Sequence, residues 1–236
     1  MAQVTDAPTV AELALRALGR FGDRVAFDGH GGTYTYRACL DLIGRCQAAM
    51  TRLGLKPGDA IAVLHANRGD AWIATMAATA LGLRTTPLHP LGSLADHLFV
   101  LEDAGIDHLL VDAEAFADRG GELAAAAPGL STVLTLGRAA FGRDLMAAAE
   151  AAGAAAPVDR TRPDDPAWIA YTGGTTGRSK GVLRDHRSYA ALTTAIHAGF
   201  EWPERPAYLA VAPNSHVGGT KIMPTLMRGG RVHCLP

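Results

Sequence analysis

Chemistry concentrates in one short run of the chain, Tyr171–Gly181, which reads YTGGTTGRSKG. Thr172, Thr175, Thr176 and Ser179 offer hydroxyls, and Lys180 offers a point charge. Gly173, Gly174 and Gly177 let the backbone approach a ligand closely and turn its N–H groups inward. A phosphate has several acceptor oxygens and no donors, so donors arranged in this way form an anion nest. The order Ser179-Lys180-Gly181 does not fit GxxxxGK[ST], and the run is not GxGxxG. Lysine is scarce: Lys56, Lys180 and Lys221 stand against 19 arginines. A second candidate is His216, in the stretch Ala212–Gly219, APNSHVGG, with Gly218 and Gly219 just behind it. On residue type alone His216 is either a working imidazole or a histidine satisfied at a strand end.

These residues need elements to hold them. The apolar run Ala167–Tyr171 is expected as a strand leading into the glycine-rich loop, with Val182 and Leu183 returning. Asp185 is expected to cap a helix that runs to about His197. Ala207–Val211 is expected as a strand, Gly218–Met227 as a helix and Arg231–Leu235 as a last strand. Upstream, Arg24–Asp28 and Thr33–Tyr36 flank a glycine-rich turn and read as a hairpin. Strands are then expected at Ala60–Leu64, Arg84–Leu88, His108–Val111 and Ser131–Leu136. Helices are expected at Tyr36–Leu53, Asp70–Leu81, Leu94–Asp103, Glu114–Ala127 and Phe141–Ala152. Strands separated by helices at this spacing pair in parallel through right-handed crossovers, so the fold class is α/β. The Pro- and Asp-rich stretch GAAAPVDRTRPDDP divides the chain into a first α/β subdomain (1–155), a linker (156–166) and the start of a second subdomain (167–236).

With 236 residues and 48% hydrophobic content, the chain can bury a substantial core. A formal net charge of −1 argues against a nucleic-acid partner bound by overall electrostatics. The N-terminal stretch reads as a short amphipathic helix, not a signal peptide, and no apolar run is long enough to span a bilayer. Cys39, Cys46 and Cys234 are odd in number and lack CxxC spacing. A reducing, cytoplasmic setting is therefore expected. Cys39 and Cys46 are read as core-facing, and Trp72 and Trp168 as packing residues. His89 with His97, and His186 with His197, lack ligand spacing, so no metal site is expected.

YTGGTTGRSKG resembles the phosphate-binding signature of the adenylate-forming enzymes, [YF]T[SG]GTTGxPKG. Ten of its eleven positions fit, and Ser179 stands where proline is usual. The likeness covers nearly the whole chain. It includes Thr33–Tyr36, the stretch GLKPGDAIAVLHANRGDAWIATMAATALG, the segment Thr86–Pro90, the histidine segment PNSHVGG and Leu226–Val232. Leu94–His97 lacks the family's Glu-Leu pair. The resemblance implies the layered parallel-sheet architecture of the family's large N-terminal domain, incomplete at its C-terminal end. It implies ATP-dependent activation of a carboxylic acid, fatty or aryl, to an acyl-adenylate and then a coenzyme A thioester, with Mg²⁺ sharing the phosphate charge. By the same resemblance Thr172, Thr175, Thr176, Ser179 and Lys180 meet the triphosphate. Gly173, Gly174 and Gly177 serve the backbone geometry. His216 lies beside the acyl pocket and the thiol tunnel, with Gly218 and Gly219 close to the acyl chain.

The family's acidic magnesium motif, ribose-binding aspartate, hinge and small C-terminal domain do not occur in these residues. The chain alone is therefore expected not to turn over. It is expected to self-associate or to pair with a complementing C-terminal fragment. The alternatives are an adenylation domain that loads a carrier protein and, in a different class, a noncatalytic nucleotide- or partner-binding remnant.

Overall fold

The computed structural model describes residues 7–172 and 179–235. Thr9 caps helix α1 (Val10–Leu18) by accepting the Glu12 N–H on its hydroxyl. The predicted hairpin forms: β1 (Val25–Gly29) pairs antiparallel with β2 (Tyr34–Thr35). Thr35 then caps α2 (Tyr36–Arg52). Next come β3 (Ala60–Leu64), α3 (Gly69–Leu81), β4 (Arg84–Pro87), α4 (Leu94–Asp103), β5 (His108–Asp112), α5 (Ala117–Ala126) and β6 (Thr132–Leu136). The two-residue strand β7 (Arg143–Asp144) precedes α6 (Leu145–Ala152). After it run β8 (Pro166–Thr172), β9 (Lys180–Asp185), α7 (His186–Ala198), β10 (Ala207–Ala210), α8 (Ile222–Met227) and β11 (Arg231–Cys234).

Two sheets result. The larger has the order β7-β6-β5-β3-β4-β8-β9, and all its pairs are parallel except the hairpin β8–β9. The smaller has the order β10-β11-β1-β2, with β1–β11 and β10–β11 parallel. Strands from both sides of residues 156–166 enter each sheet. The segment itself crosses α2. Gln47 donates its amide to the Val158 carbonyl at 2.7 Å and accepts the Val158 N–H at 3.0 Å. Gly44 lies under this segment, where an added methyl would strike the Ala155 carbonyl.

β3 and β5 are buried along their whole length, as expected of inner strands of a parallel sheet covered on both faces. One core cluster centres on Phe27, Tyr36, Ile43, Met50 and Ile73, between α2, α3 and the smaller sheet. The other lies on the far face, around Leu64, Leu88 and Leu109. Cys39 and Cys46 are buried, and burial pushes both thiols up to about 12. Tyr36 is fully buried, and its hydroxyl donates to the carbonyl of Gly230 at 2.7 Å, tying α2 to the α8–β11 turn.

Three predicted helices differ in detail. Glu114–Ala127 starts later, at Ala117, because the Asp112 carboxylate accepts the Glu114 N–H and ends β5 in a turn. Phe141–Ala152 starts at Leu145, where Asp144 accepts the N–H groups of Met146 and Ala147. Gly218–Met227 divides into a 3₁₀ turn (Val217–Lys221) and α8. Two glycines weaken α-helix there, and Pro224 is tolerated in the first turn of α8, where its missing N–H has no intrahelical partner.

Candidate functional site

The two described ends of the run, Tyr171–Thr172 and Ser179–Gly181, lie on the β8–β9 hairpin. Ala167 and Ile169 anchor β8 in the sheet. Thr172 and Lys180 are register partners, as are Tyr171 and Gly181. Thr172 and Lys180 are therefore the last paired residues before the loop, and both are exposed. Gly181 leaves room for Ile169 and the Tyr171 ring, which would stand 3.0 and 3.1 Å from an added methyl. The Tyr171 hydroxyl donates to the Asp103 carboxylate at 2.5 Å, and its ring meets Phe99 edge-on. Burial, then the hydrogen bond to Asp103 and its charge, holds the Tyr171 hydroxyl above its ordinary value. Gly173, Gly174, Thr175, Thr176 and Gly177 lie outside the described residues. Ser179 is half-buried at the loop's return.

His216 stands on the segment that leaves β10. Its N–H donates to Pro213, and its Nδ1 lies 2.9 Å from the Ser215 hydroxyl. Its ring meets that of His89 edge-on, with centroids 5.0 Å apart. His89 follows β4, and His65 follows β3 (Ala60–Leu64), so the C-terminal ends of two parallel strands bring these rings to His216. Burial, then His89 and His65, lowers His216 from 6.5 to about 4, which keeps the imidazole neutral at physiological pH. Between pH 6.5 and 4 the unfolded chain takes up this proton and the folded chain does not. Stability should therefore fall as pH falls through that window. His65, His97, His186 and His197 are also lowered by burial and act in the same direction. His216→Gln should make the fall shallower in thermal melts taken across that range.

Two cavities meet at His216. The outer one is lined by His89, Leu91, His97, Phe99, Tyr171, Ser179 and His216, and holds about 1300 Å³ including its open mouth. His216 and the return of the glycine-rich loop thus face one space. The inner cavity, narrow at about 70 Å³, lies between α3 and α7. Trp72, Met76, Trp168 and Tyr189 give it an apolar and aromatic wall, and His65, His216 and Gly219 close its other side. Trp168 stacks on Tyr189 at 5.4 Å, and Trp72 packs against Phe27 at 5.1 Å. Both tryptophans pack, as the sequence suggests, and both also line this cavity.

Gly218 and Gly219 are crowded by the protein's own backbone. A methyl on Gly218 would meet the Ala212 and Pro213 carbonyls, and one on Gly219 the Asn214 carbonyl. Their bareness lets the 3₁₀ turn fold back against the 212–214 segment. Gly219→Ala should cost about 1–3 kcal/mol by forcing that backbone apart, a loss measurable by urea denaturation.

Several residues around the site were not singled out from the sequence. His89 and His65 are 127 and 151 positions from His216; parallel pairing of β3 with β4 brings the two together, and the packing of the 210–216 segment from the other sheet brings His216 to them. Arg68 and Asn67 lie in the β3–α3 turn, where Arg68 pairs with Asp70, Asp112 and Glu114 and Asn67 bonds the 210–214 segment. Their only sequence signal was membership in the stretch that resembles the family.

The sequence matches the AMP-binding enzyme family over residues 15–236. A medium/long-chain-fatty-acid–CoA ligase, FadD8, from Mycobacterium tuberculosis is 37% identical over 81% of this chain and 35% of its own length. A long-chain-fatty-acid–CoA ligase of the same species, FadD13, is 27% identical over 86% of this chain and 40% of its own length. The chain thus spans well under half the length of these curated relatives. Among solved structures, apo MbtA from Mycobacterium smegmatis superposes with a TM-score of 0.89 at 23% identity. That match covers 98% of this chain and 44% of MbtA and shows a shared fold. With the match extending from the first helix through the last strand, this chain belongs to the AMP-binding enzymes.

Proposed function

We propose that the protein activates a fatty or aryl carboxylic acid with ATP and passes the acyl group to coenzyme A. A carboxylate oxygen attacks the α-phosphorus of ATP, taken up as its magnesium complex. The P–O bond to pyrophosphate breaks, giving an acyl-adenylate. The coenzyme A sulfur then attacks the acyl carbon, and AMP leaves with the carboxylate oxygen. Thr172 and Lys180, with Thr175, Thr176 and Ser179, hold the leaving phosphates, and Gly173, Gly174 and Gly177 shape the backbone around them. Donors aimed where charge builds up stabilise the transition state more than water does. His216, neutral and half-buried, borders the acid and thiol side. Gly218 and Gly219 keep its segment close to the 3₁₀ turn.

One observation carries this reading: Ser179, at the return of the phosphate loop, and His216 line the same cavity. The aromatic and apolar inner cavity next to His216 supports an acid with a chain or ring. The name of the 37% identical relative supports the same substrate class. A cytoplasmic setting is part of the proposal, supported by three buried free cysteines. No described helix is long and apolar enough to cross a membrane. The outer strands β9 and β10 expose Val182, Leu183 and Leu209, which supports self-association or a complementing polypeptide. The test is to incubate the intact gene product with ATP, Mg²⁺, coenzyme A and a panel of acids, and to identify products by mass spectrometry. Acid-dependent AMP and acyl-CoA are expected. AMP-free mixtures across the panel would contradict the reading.

A further inference from the structure

The four-residue turn His65–Arg68 between β3 and α3 binds a segment that lies more than 140 residues away in sequence. The Asn67 amide nitrogen is within 3.1, 3.3 and 3.2 Å of the carbonyl oxygens of Ala210, Val211 and Ala212. Its two hydrogens are shared among these three acceptors. Its carbonyl oxygen accepts the Asn214 N–H at 2.7 Å. The side chain is 8% exposed, so water cannot readily replace these partners. Only one amide orientation satisfies both sides, because the carbonyls need donors and the N–H needs an acceptor.

The location explains why such a group is needed. β10 ends at Ala210, and beyond it the chain leaves the ladder with β11. Asn67 supplies the hydrogen bonds that a neighbouring strand would otherwise give. On one side of it, His65 lines the inner cavity. On the other, Arg68 fixes the turn to Asp70, Asp112 and Glu114. Two residues beyond Asn214 stands His216.

We propose that Asn67 is a positioning residue that clamps the 210–214 segment to the β3–α3 turn and so sets where His216 stands between the two cavities. The functional importance of that placement rests on the reading of His216 given above. The clamp itself is measurable without any turnover.

The test follows the His216 imidazole by NMR titration, assigned with His216→Gln, in wild type, Asn67→Ala and Asn67→Asp. His65 and His89 face this ring and are retained in every variant. Ile43→Val, a core change in α2 that removes no hydrogen bond of the segment, controls for general loss of stability. In N67A the His216 midpoint should rise from about 4 toward 6.5 as water reaches the ring. Amide exchange at Asn214 and His216 should speed up by roughly 10-fold or more. N67D keeps the acceptor but sets a carboxylate against three carbonyls, and should exceed N67A in amide exchange. I43V should leave both unchanged at a similar melting temperature. A folded N67A whose His216 midpoint and amide exchange both match wild type overturns the proposal. If N67A does not fold, Asn67→Ser, which keeps one donor, carries the same comparison with smaller shifts. In turnover assays N67A should raise the KM for the acid more than it lowers kcat. If His216 moves while wild type makes no thioester, the clamp stands and the functional reading falls.

Discussion

Arg68→Met is expected to lower the unfolding free energy by about 3–5 kcal/mol, the cost of leaving buried carboxylates without their cation. Arg68 is 9% exposed, and its guanidinium meets Asp70 at 2.8 Å, Asp112 at 3.3 Å and Glu114 at 2.6 Å. Asp70 and Asp112 are buried, whereas Glu114 lies at the surface and can turn to water. The guanidinium also bonds Asp70 through two nitrogens, Nε and Nη2, the two-pronged geometry that Lys cannot reproduce. Methionine fills a similar volume and supplies no charge, so Asp70 and Asp112 stay buried and repel each other. Chemical denaturation should show the loss. The triple variant Arg68→Met, Asp70→Asn, Asp112→Asn should recover part of it, because the uncompensated charges go with the cation. A single-variant loss below about 1 kcal/mol, the scale of an exposed ion pair, would show that water already screens the network.

Lys180→Ala is expected to slow adenylate formation by roughly 10- to 200-fold, the equivalent of a charge-assisted hydrogen bond of ~1.5–3 kcal/mol. Lys180 is exposed and paired in register with Thr172 at the mouth of the hairpin. Among the described residues no carboxylate lies within 4 Å of its ammonium group. Its removal should leave the melting temperature close to wild type. Pyrophosphate exchange into ATP reports the step directly. The deficit should appear in kcat, because the lysine's work grows as charge builds on the leaving phosphates. An unchanged exchange rate would remove Lys180 from the reaction.

Much of the fold was legible because its signals are local. The Ala60–Leu64 run, the Asp185 cap and the β8–β9 return each declare themselves within a few residues, and each forms as expected. The pairing of β1 with β11 was not legible, because the register that joins Phe27 to Val232 spans almost the whole chain. The segment 156–166 shows the same limit. Proline and aspartate content marks it as irregular, but only the structure shows it bonded to Gln47 on α2 and to Thr9 before α1. At the site, the glycine-rich loop could be read from spacing and His216 from its glycine-flanked segment. The histidine cluster depends on the parallel strand order that brings the ends of β3 and β4 together. The tether of Asn67 depends on a side chain taking over from backbone, for which no sequence periodicity exists.

The central claim is that the turn between β8 and β9 grips the phosphates of ATP. A crystal of the intact gene product soaked with ATP, Mg²⁺ and a non-reactive acid analogue tests it most directly. The β- and γ-phosphate oxygens should lie within hydrogen-bonding distance of Thr172, Lys180 and the backbone between them, with the analogue's carboxylate on the His216 side. Ordered phosphates bound elsewhere, with that turn empty, would contradict the account.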